Sequence, residues 1–230
     1  GVSNATLRRE TTYINAFLSW CLSTNLISAR PETTRPAHDN KVRATFTLKE
    51  WRSITAKMKG WVECADNTAI HRDRFYLRDL VLLMSNCGAR TGEMRALKWG
   101  QVSSHTYADG ETRMIANFAT GKTGARESVC NRGSEVFFKR LWDYRSNELK
   151  HAPSPDEFVF CDKNGNEVGD RKKSFASLLN YCGLRTNTAG EVRSLYSLRH
   201  FYAHQQLRAD PPVSVYVLAR NMGTSVAVIE

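Results

Sequence analysis

Apolar residues recur along this chain at two different periods, and the change of period marks its elements. Leu77, Leu80, Val81 and Met84 stand at i, i+3, i+4 and i+7, one buried face of a helix expected over about 72–87. Ile14, Phe17, Leu18 and Cys21 repeat that spacing, and Trp20 and Leu22 widen the stripe, which predicts an amphipathic helix over about 4–27. Thr47, with Glu50 three residues on, is a capping-box start for a helix opening Leu48-Lys49-Glu50-Trp51. Further helices are expected over about 133–148, 172–181, 193–207 and 213–220. Near residue 113 the period falls to two, because Met114, Ala116 and Phe118 alternate with Arg113, Ile115 and Asn117. The glycine-bearing turn over 120–124 leads into Arg126 to Cys130 and makes a hairpin. Phe158-Val159-Phe160 reads as one more short strand. The pattern predicts a mostly α (α+β) fold with a small antiparallel sheet.

Two arginines break the pattern. The stripe Leu195, Leu198, Tyr202 passes through Arg199, which puts a charge on the face that should be buried. Such a charge is costly unless it is paired or faces a cleft. Arg90 follows the end of the 72–87 helix at a Gly88 turn that would aim its guanidinium out of the core, and Glu93 is close enough to hold that head in one orientation. An oriented arginine at a helix end and a second one on a buried face suggest one shared phosphate.

Between Ala29 and Thr45 the composition shifts to Arg30, Pro31, Arg35, Pro36, Lys41 and Arg43 with little apolar content, which reads as a linker. The lone helix before it cannot fold by itself. The chain of 230 residues is long enough to bury a full core, so one large domain preceded by a fragment is the expected partition. A formal charge of +10 points to a polyanionic partner, nucleic acid first. The cysteines (Cys21, Cys64, Cys87, Cys130, Cys161 and Cys182) form no C-x-x-C pair and mostly sit in apolar runs, as core thiols of a reducing compartment do. With no long apolar span and no signal-peptide pattern, a cytoplasmic protein away from membranes is expected.

Other chemistries fall on their own residues. Gly121-Lys122-Thr123 resembles the end of a P-loop, but Ala116 stands where that motif needs glycine, in a strand. His200 and His204 are spaced for zinc on a helix, yet Phe201 occupies the place of the catalytic glutamate, and they read as packing or phosphate-contacting histidines.

In order and spacing, Arg90-Thr-Gly-Glu93, the hairpin Lys122, Tyr196-Ser-Leu-Arg199-His200 and Asn221-Met-Gly-Thr-Ser225 resemble the catalytic domain of the tyrosine recombinases, the phage-integrase family. The resemblance implies that residues 46–230 are that domain, that 1–29 end a truncated core-binding domain, and that 30–45 join them. It implies that Arg90 and Arg199 clamp the scissile phosphate, that Glu93 buttresses Arg90, and that Lys122 protonates the leaving 5′ oxygen. Two departures stand out. Tyr196 occupies the place of the usual histidine before the second arginine, and Thr224 that of the late histidine or tryptophan. A phenol titrates near pH 10 in model peptides, so Tyr196 suits hydrogen-bond donation to a phosphate oxygen better than general-base work. Thr224 offers a hydroxyl of shorter reach, and His200 a supporting contact. The family's nucleophilic tyrosine, a short stretch after that late position, is expected beyond Glu230.

The function implied is site-specific recombination on double-stranded DNA by a DNA integrase of a mobile element or phage. It proceeds through a 3′-phosphotyrosine link, with no cofactor and no metal. Self-association into a tetramer on DNA is implied, and accessory DNA-bending proteins are compatible with it. The alternatives are an inactive DNA-binding regulator on the same fold and a type IB topoisomerase-like enzyme.

Overall fold

The computed structural model describes residues 2–37, 44–108, 110–119 and 124–229. In chain order its helices are α1 (Asn4–Ser23), α2 (Leu48–Glu63), α3 (Thr68–Cys87), α4 (Thr91–Arg95), α5 (Glu135–Leu149), α6 (Lys172–Cys182), α7 (Leu195–Leu207) and α8 (Val215–Met222). Three strands, β1 (Val102–Thr106), β2 (Thr112–Phe118) and β3 (Arg126–Val129), lie between α4 and α5. The chain divides into two compact units, Gly1–Val42 and Arg43–Glu230.

In the first unit α1 stops short of the expected 27, because the Thr24 hydroxyl donates to the Trp20 carbonyl (2.9 Å) and Asn25 takes a left-handed φ of 58°. Tyr13, Phe17 and Trp20 are exposed on it. Residues 30–37 then run back along α1. Thr33 donates to Asn15 Oδ1 (2.7 Å), Arg35 to the Thr12 hydroxyl (3.2 Å), and Arg8 donates to the Pro36 carbonyl. The low apolar content that reads as a linker thus also supplies side chains that satisfy polar groups on α1. Residues 38–43 lie outside the described residues.

The second unit is built around α3. Asn67 caps it through the Ile70 N–H (2.9 Å), which starts the helix earlier than its apolar stripe suggests. Tyr76, Leu77, Leu80, Val81, Leu83, Met84 and Cys87 are all fully buried. Helices α2, α5, α6 and α7 pack against it. A helix enclosed on so many sides also buries polar positions, and Asp79 and Arg72 are both paired. Asp79 accepts from Arg140 Nε (2.9 Å), and Arg72 donates to Glu148 (2.6 Å) and to the Cys161 carbonyl (2.8 Å). The capping box at Thr47 and Glu50 is present, with bonds of 3.2 and 2.8 Å.

The sheet is antiparallel in the order β1-β2-β3. The expected hairpin is β2 with β3, paired from Ile115 with Val129 to Phe118 with Arg126. Strand β1 has no apolar alternation to announce it, because every residue of it after Val102 is exposed. The strand expected at Phe158-Val159-Phe160 does not form. Phe158 makes a single bridge to Lys98, and Val159 and Phe160 are buried in the core, so the apolar run records burial rather than strand pairing. Among the described residues no helix is long and apolar enough to cross a membrane.

Candidate active site

The site begins where α3 ends. Gly88 caps the helix in the left-handed region (φ 64°), and a Cβ there would stand 2.3 Å from the Tyr202 ring of α7, so the turn needs glycine for both its conformation and its neighbour. Two residues later the chain enters α4. The N–H of Arg90 donates to Glu93 Oε2 (2.8 Å), and its Nη1 donates to Glu93 Oε1 (2.6 Å). The sequence reading of an arginine held by Glu93 is what the geometry contains. The other arm, Nη2, donates to the carbonyl of Gly223 after α8.

Arg199 arrives from the opposite direction. The start of α7 is fixed by Arg193, which donates to Glu50 Oε1 (2.7 Å) and to the Thr45 carbonyl (2.9 Å), and by the Ser197 hydroxyl accepting from the Ser194 N–H (3.1 Å). Leu195 and Leu198 bury the helix against the core, and Arg199 beside them is only 3% exposed. Its Nη1 donates to the Gly88 carbonyl (2.6 Å), on the turn that leads into Arg90 two residues on. Burial first, and then the charge of Arg90, push the Arg199 guanidinium below its ordinary pKa. It holds a carbonyl where a buried cation would otherwise take a carboxylate.

One turn before Arg199, the Tyr196 ring stands edge-on to His200 (centroids 5.0 Å, 70°). Tyr196, Arg199, His200 and Thr224 line one small cavity of about 60 Å³ with His204, Met222 and Ile229. Thr224 is brought in by the tight end of α8, where its N–H donates to the Ala219 carbonyl (3.0 Å) after the left-handed Gly223. Of the residues singled out from sequence, Arg90, Glu93, Tyr196, Arg199, His200 and Thr224 therefore come together. Lys122 lies outside the described residues. A wider cavity of about 480 Å³ lies elsewhere, at Arg72, Asp73, Asp162 and Arg171, with both arginines paired to carboxylates.

Two further residues complete the cluster: Arg126, which no motif announces, and Asn221, which opens the Asn221-Met-Gly-Thr-Ser225 motif but to which the sequence assigns no role. Arg126, at the start of β3, donates from Nη2 to Glu93 Oε2 (2.6 Å) and from Nη1 to the Asn221 carbonyl, with its guanidinium over the Phe118 ring (4.7 Å). Strand alternation holds the signal, since period two puts Arg126 on the same face as Ser128 and Cys130, both buried. Asn221 accepts the Val129 N–H on Oδ1 (2.7 Å) and donates through Nδ2 to the Val129 carbonyl (3.2 Å) and the Tyr202 hydroxyl (2.8 Å). Burial alone would raise the Glu93 pKa, but the bonds from Arg126 and from the backbone and side chain of Arg90 outweigh it and hold the carboxyl below its ordinary value.

This arrangement of helices around α3, with a three-stranded sheet beside it, matches solved structures. XerH site-specific recombinase bound to difH substrate in a pre-cleavage complex has a TM-score of 0.72 at 16% identity, over all of this chain and 61% of that one. This is the fold of a tyrosine recombinase catalytic domain. The Tn1549 transposon integrase in complex with transposon right end DNA shares it with a TM-score of 0.70 and 14% identity, over 100% of this chain and 74% of the other. A lambda integrase dimer bound to a COC′ core site does so at 0.58 and 14%, over 98% and 57%. The chain thus spans less than two thirds of the XerH and lambda integrase chains. No family model matches the chain, and no curated protein matches it in sequence.

Proposed function

We propose that the protein is a site-specific DNA recombinase of the integrase kind, which cuts and rejoins double-stranded DNA through a 3′-phosphotyrosine intermediate to integrate or excise a mobile element. The observation that carries this reading is that Arg199 donates to the carbonyl of the Gly88 turn, two residues before Arg90, near enough for the charge of Arg90 to act on it. Glu93 is shared between Arg90 and Arg126, and Arg199 donates to a carbonyl, so these four side chains keep net positive charge. Attack on phosphorus builds negative charge on the nonbridging oxygens, and permanently charged planar forks are suited to receive it.

In this reading a tyrosine outside the described residues attacks the scissile phosphorus. A bond forms from its oxygen to phosphorus as its phenolic proton passes to solvent water, the bond to the 5′ oxygen breaks, and Lys122 gives that oxygen its proton. Tyr196 and Thr224 donate hydrogen bonds to phosphate oxygens, and His200 supports Tyr196. Residues 46–230 serve as the catalytic domain, 1–29 as the last helix of a core-binding domain and 30–45 as the join. The solved neighbours support DNA as substrate and self-association as the working state, since they include DNA complexes and a lambda integrase tetramer on a Holliday junction.

The test is covalent capture. The native protein, offered a pool of nicked duplexes, is expected to yield a protease-sensitive adduct on a 3′ phosphate. Arg90→Ala or Arg199→Ala should each lower adduct formation by about two orders of magnitude or more, with DNA retention falling far less. Tyr196→Phe should still form the adduct, because Tyr196 is not the nucleophile here. Equal loss of retention and adduct in the arginine variants would reduce them to DNA anchors, and an adduct abolished by Tyr196→Phe would reassign the attacking hydroxyl.

A further inference from the structure

The geometry points to Arg126 as a positioning residue that makes the orientation of Arg90, and through it the phosphate site, depend on the β2–β3 hairpin. The proposal rests on the recombinase reading above for its consequence in catalysis, but not for its structural content.

Glu93 is the only carboxylate bonded to Arg90 among the described residues, and it is divided between two arginines. Its Oε1 accepts from Arg90 Nη1 at 2.6 Å, while Oε2 accepts both the Arg90 N–H at 2.8 Å and Arg126 Nη2 at 2.6 Å. A carboxylate with both oxygens engaged has one orientation, and the guanidinium on its first oxygen inherits that orientation. The second fixing point repeats the pattern. Arg126 Nη1 holds the Asn221 carbonyl, Arg90 Nη2 holds the Gly223 carbonyl two residues on, and a Cβ on Gly223 would stand 2.5 Å from Arg126 Cδ and Nε. Arg126 therefore lies directly under the turn that supplies Thr224. Its side chain is only 9% exposed, which leaves it little room to reach a ligand and places it behind Arg90.

Arg126 is also part of the hairpin. It pairs with Phe118 in register and lies over that ring, and it begins the strand that follows the hairpin turn. The position of β3 therefore sets the position of the cation on Glu93 Oε2. Arg126 and Glu93 so link strands β2 and β3 to the arginine that holds the phosphate in the recombinase reading. An ordinary ion pair between β3 and α4 would stabilise the fold equally well with Arg90 absent. The link predicts something more specific, that loss of Arg126 is felt at Arg90.

The groups facing Glu93 are Arg90 from the loop before α4, Arg126 from β3, and, at longer range, Arg199 from α7 and Cys87 from α3. Removing Arg126 takes away the strongest of the interactions that hold the carboxyl in its charged form, while burial, which opposes that form, remains. The Glu93 pKa should rise, so protonation of Glu93 releases Arg90 at a higher pH than in the native protein.

The experiment uses the native protein, Arg126→Met and Arg126→Lys, with carbon-13 in glutamate carboxyls and nitrogen-15 in arginine side chains. Glu93→Gln and Arg90→Lys assign the two signals. In Arg126→Met the Glu93 midpoint should move up and the Arg90 side-chain N–H signals should lose their exchange protection, while methyl spectra of the core stay native. Arg126→Lys keeps the charge without the fork and should show both changes in smaller degree; it carries the test if the methionine variant does not fold. In covalent capture, Arg126→Met should lose about tenfold to a hundredfold in rate, the range expected for one hydrogen bond to a charged group. The loss should deepen as pH falls, whereas the native rate should not. A native-like Glu93 midpoint and native-like Arg90 signals in a folded variant would overturn the proposal. Absence of any adduct from the native protein would instead overturn the recombinase reading, and the spectroscopic arm would still decide the role of Arg126.

Discussion

At the scale of single residues, the site depends on positions where no substitute fits. Gly88 joins three requirements: a left-handed turn to end α3, a carbonyl for Arg199, and room for the Tyr202 ring. An alanine there would bear the left-handed penalty and a Cβ at 2.3 Å from an aromatic carbon that is itself packed. Gly88→Ala should lower the free energy of unfolding by about 2–5 kcal/mol, adding the cost of the backbone conformation to that of overpacking, as read by urea denaturation. Gly92, inside α4 with open space within 4 Å of the place a Cβ would take, is the control, and Gly92→Ala should be neutral or stabilising by up to about 1 kcal/mol. Equal losses in the two variants would mean that the Gly88 turn tolerates a side chain.

Between elements, the decisive joint is α8 against the sheet. Strand β3 is an edge strand, and Asn221 covers its open side by taking the N–H and the carbonyl of Val129 with one amide, much as a neighbouring strand would. Asn221→Leu leaves that pair without partners and should destabilise the α8 joint by about 1–3 kcal/mol for the unsatisfied backbone groups. Hydrogen exchange reads it directly, since the Val129 amide should lose protection while amides of α3 keep theirs; a protected Val129 amide would show that another group covers the edge. This joint also marks where sequence reasoning reaches its limit. Helices α2 and α7 are legible because each buries one face, α3 because its apolar stripe survives although it is enclosed on several sides, and Arg199 because it violates such a face. Asn221 and Arg126 obey their local patterns, and their importance lies in partners about ninety and thirty residues away. Strand β1, exposed along nearly its whole length, leaves no apolar trace, and the buried Phe158-Val159-Phe160 leaves a misleading one.

For the whole molecule, charge is the property that no element accounts for. The net +10 persists although many arginines are consumed inside the fold, where Arg72, Arg145, Arg171 and Arg193 are buried and paired with Glu148, Glu157, Asp73 and Glu50. Those pairs cancel internally, and so do Arg140 with Asp79 and Arg95 with Glu167, so the excess belongs to the other lysines and arginines, of which the exposed ones are available to a polyanion. If that polyanion is duplex DNA, each phosphate neutralised releases condensed counterions, and the logarithm of affinity should fall linearly with the logarithm of salt concentration. With six or more phosphates contacted, binding should weaken by about 10³-fold or more between about 50 and 200 mM salt, as read by fluorescence anisotropy on a labelled duplex. The slope should separate two classes of arginine. Replacing exposed basic residues in the 30–37 segment, such as Arg30 or Arg35, should reduce it, because those side chains can give up their contacts on α1 for phosphates. Replacing Arg126 should leave the slope as it was, because a guanidinium bonded to Glu93 and largely buried has no counterion to displace. A flat salt response would remove DNA as the partner of the basic surface, and a slope that changed equally for Arg35 and Arg126 would mean that Arg126 meets the phosphate itself.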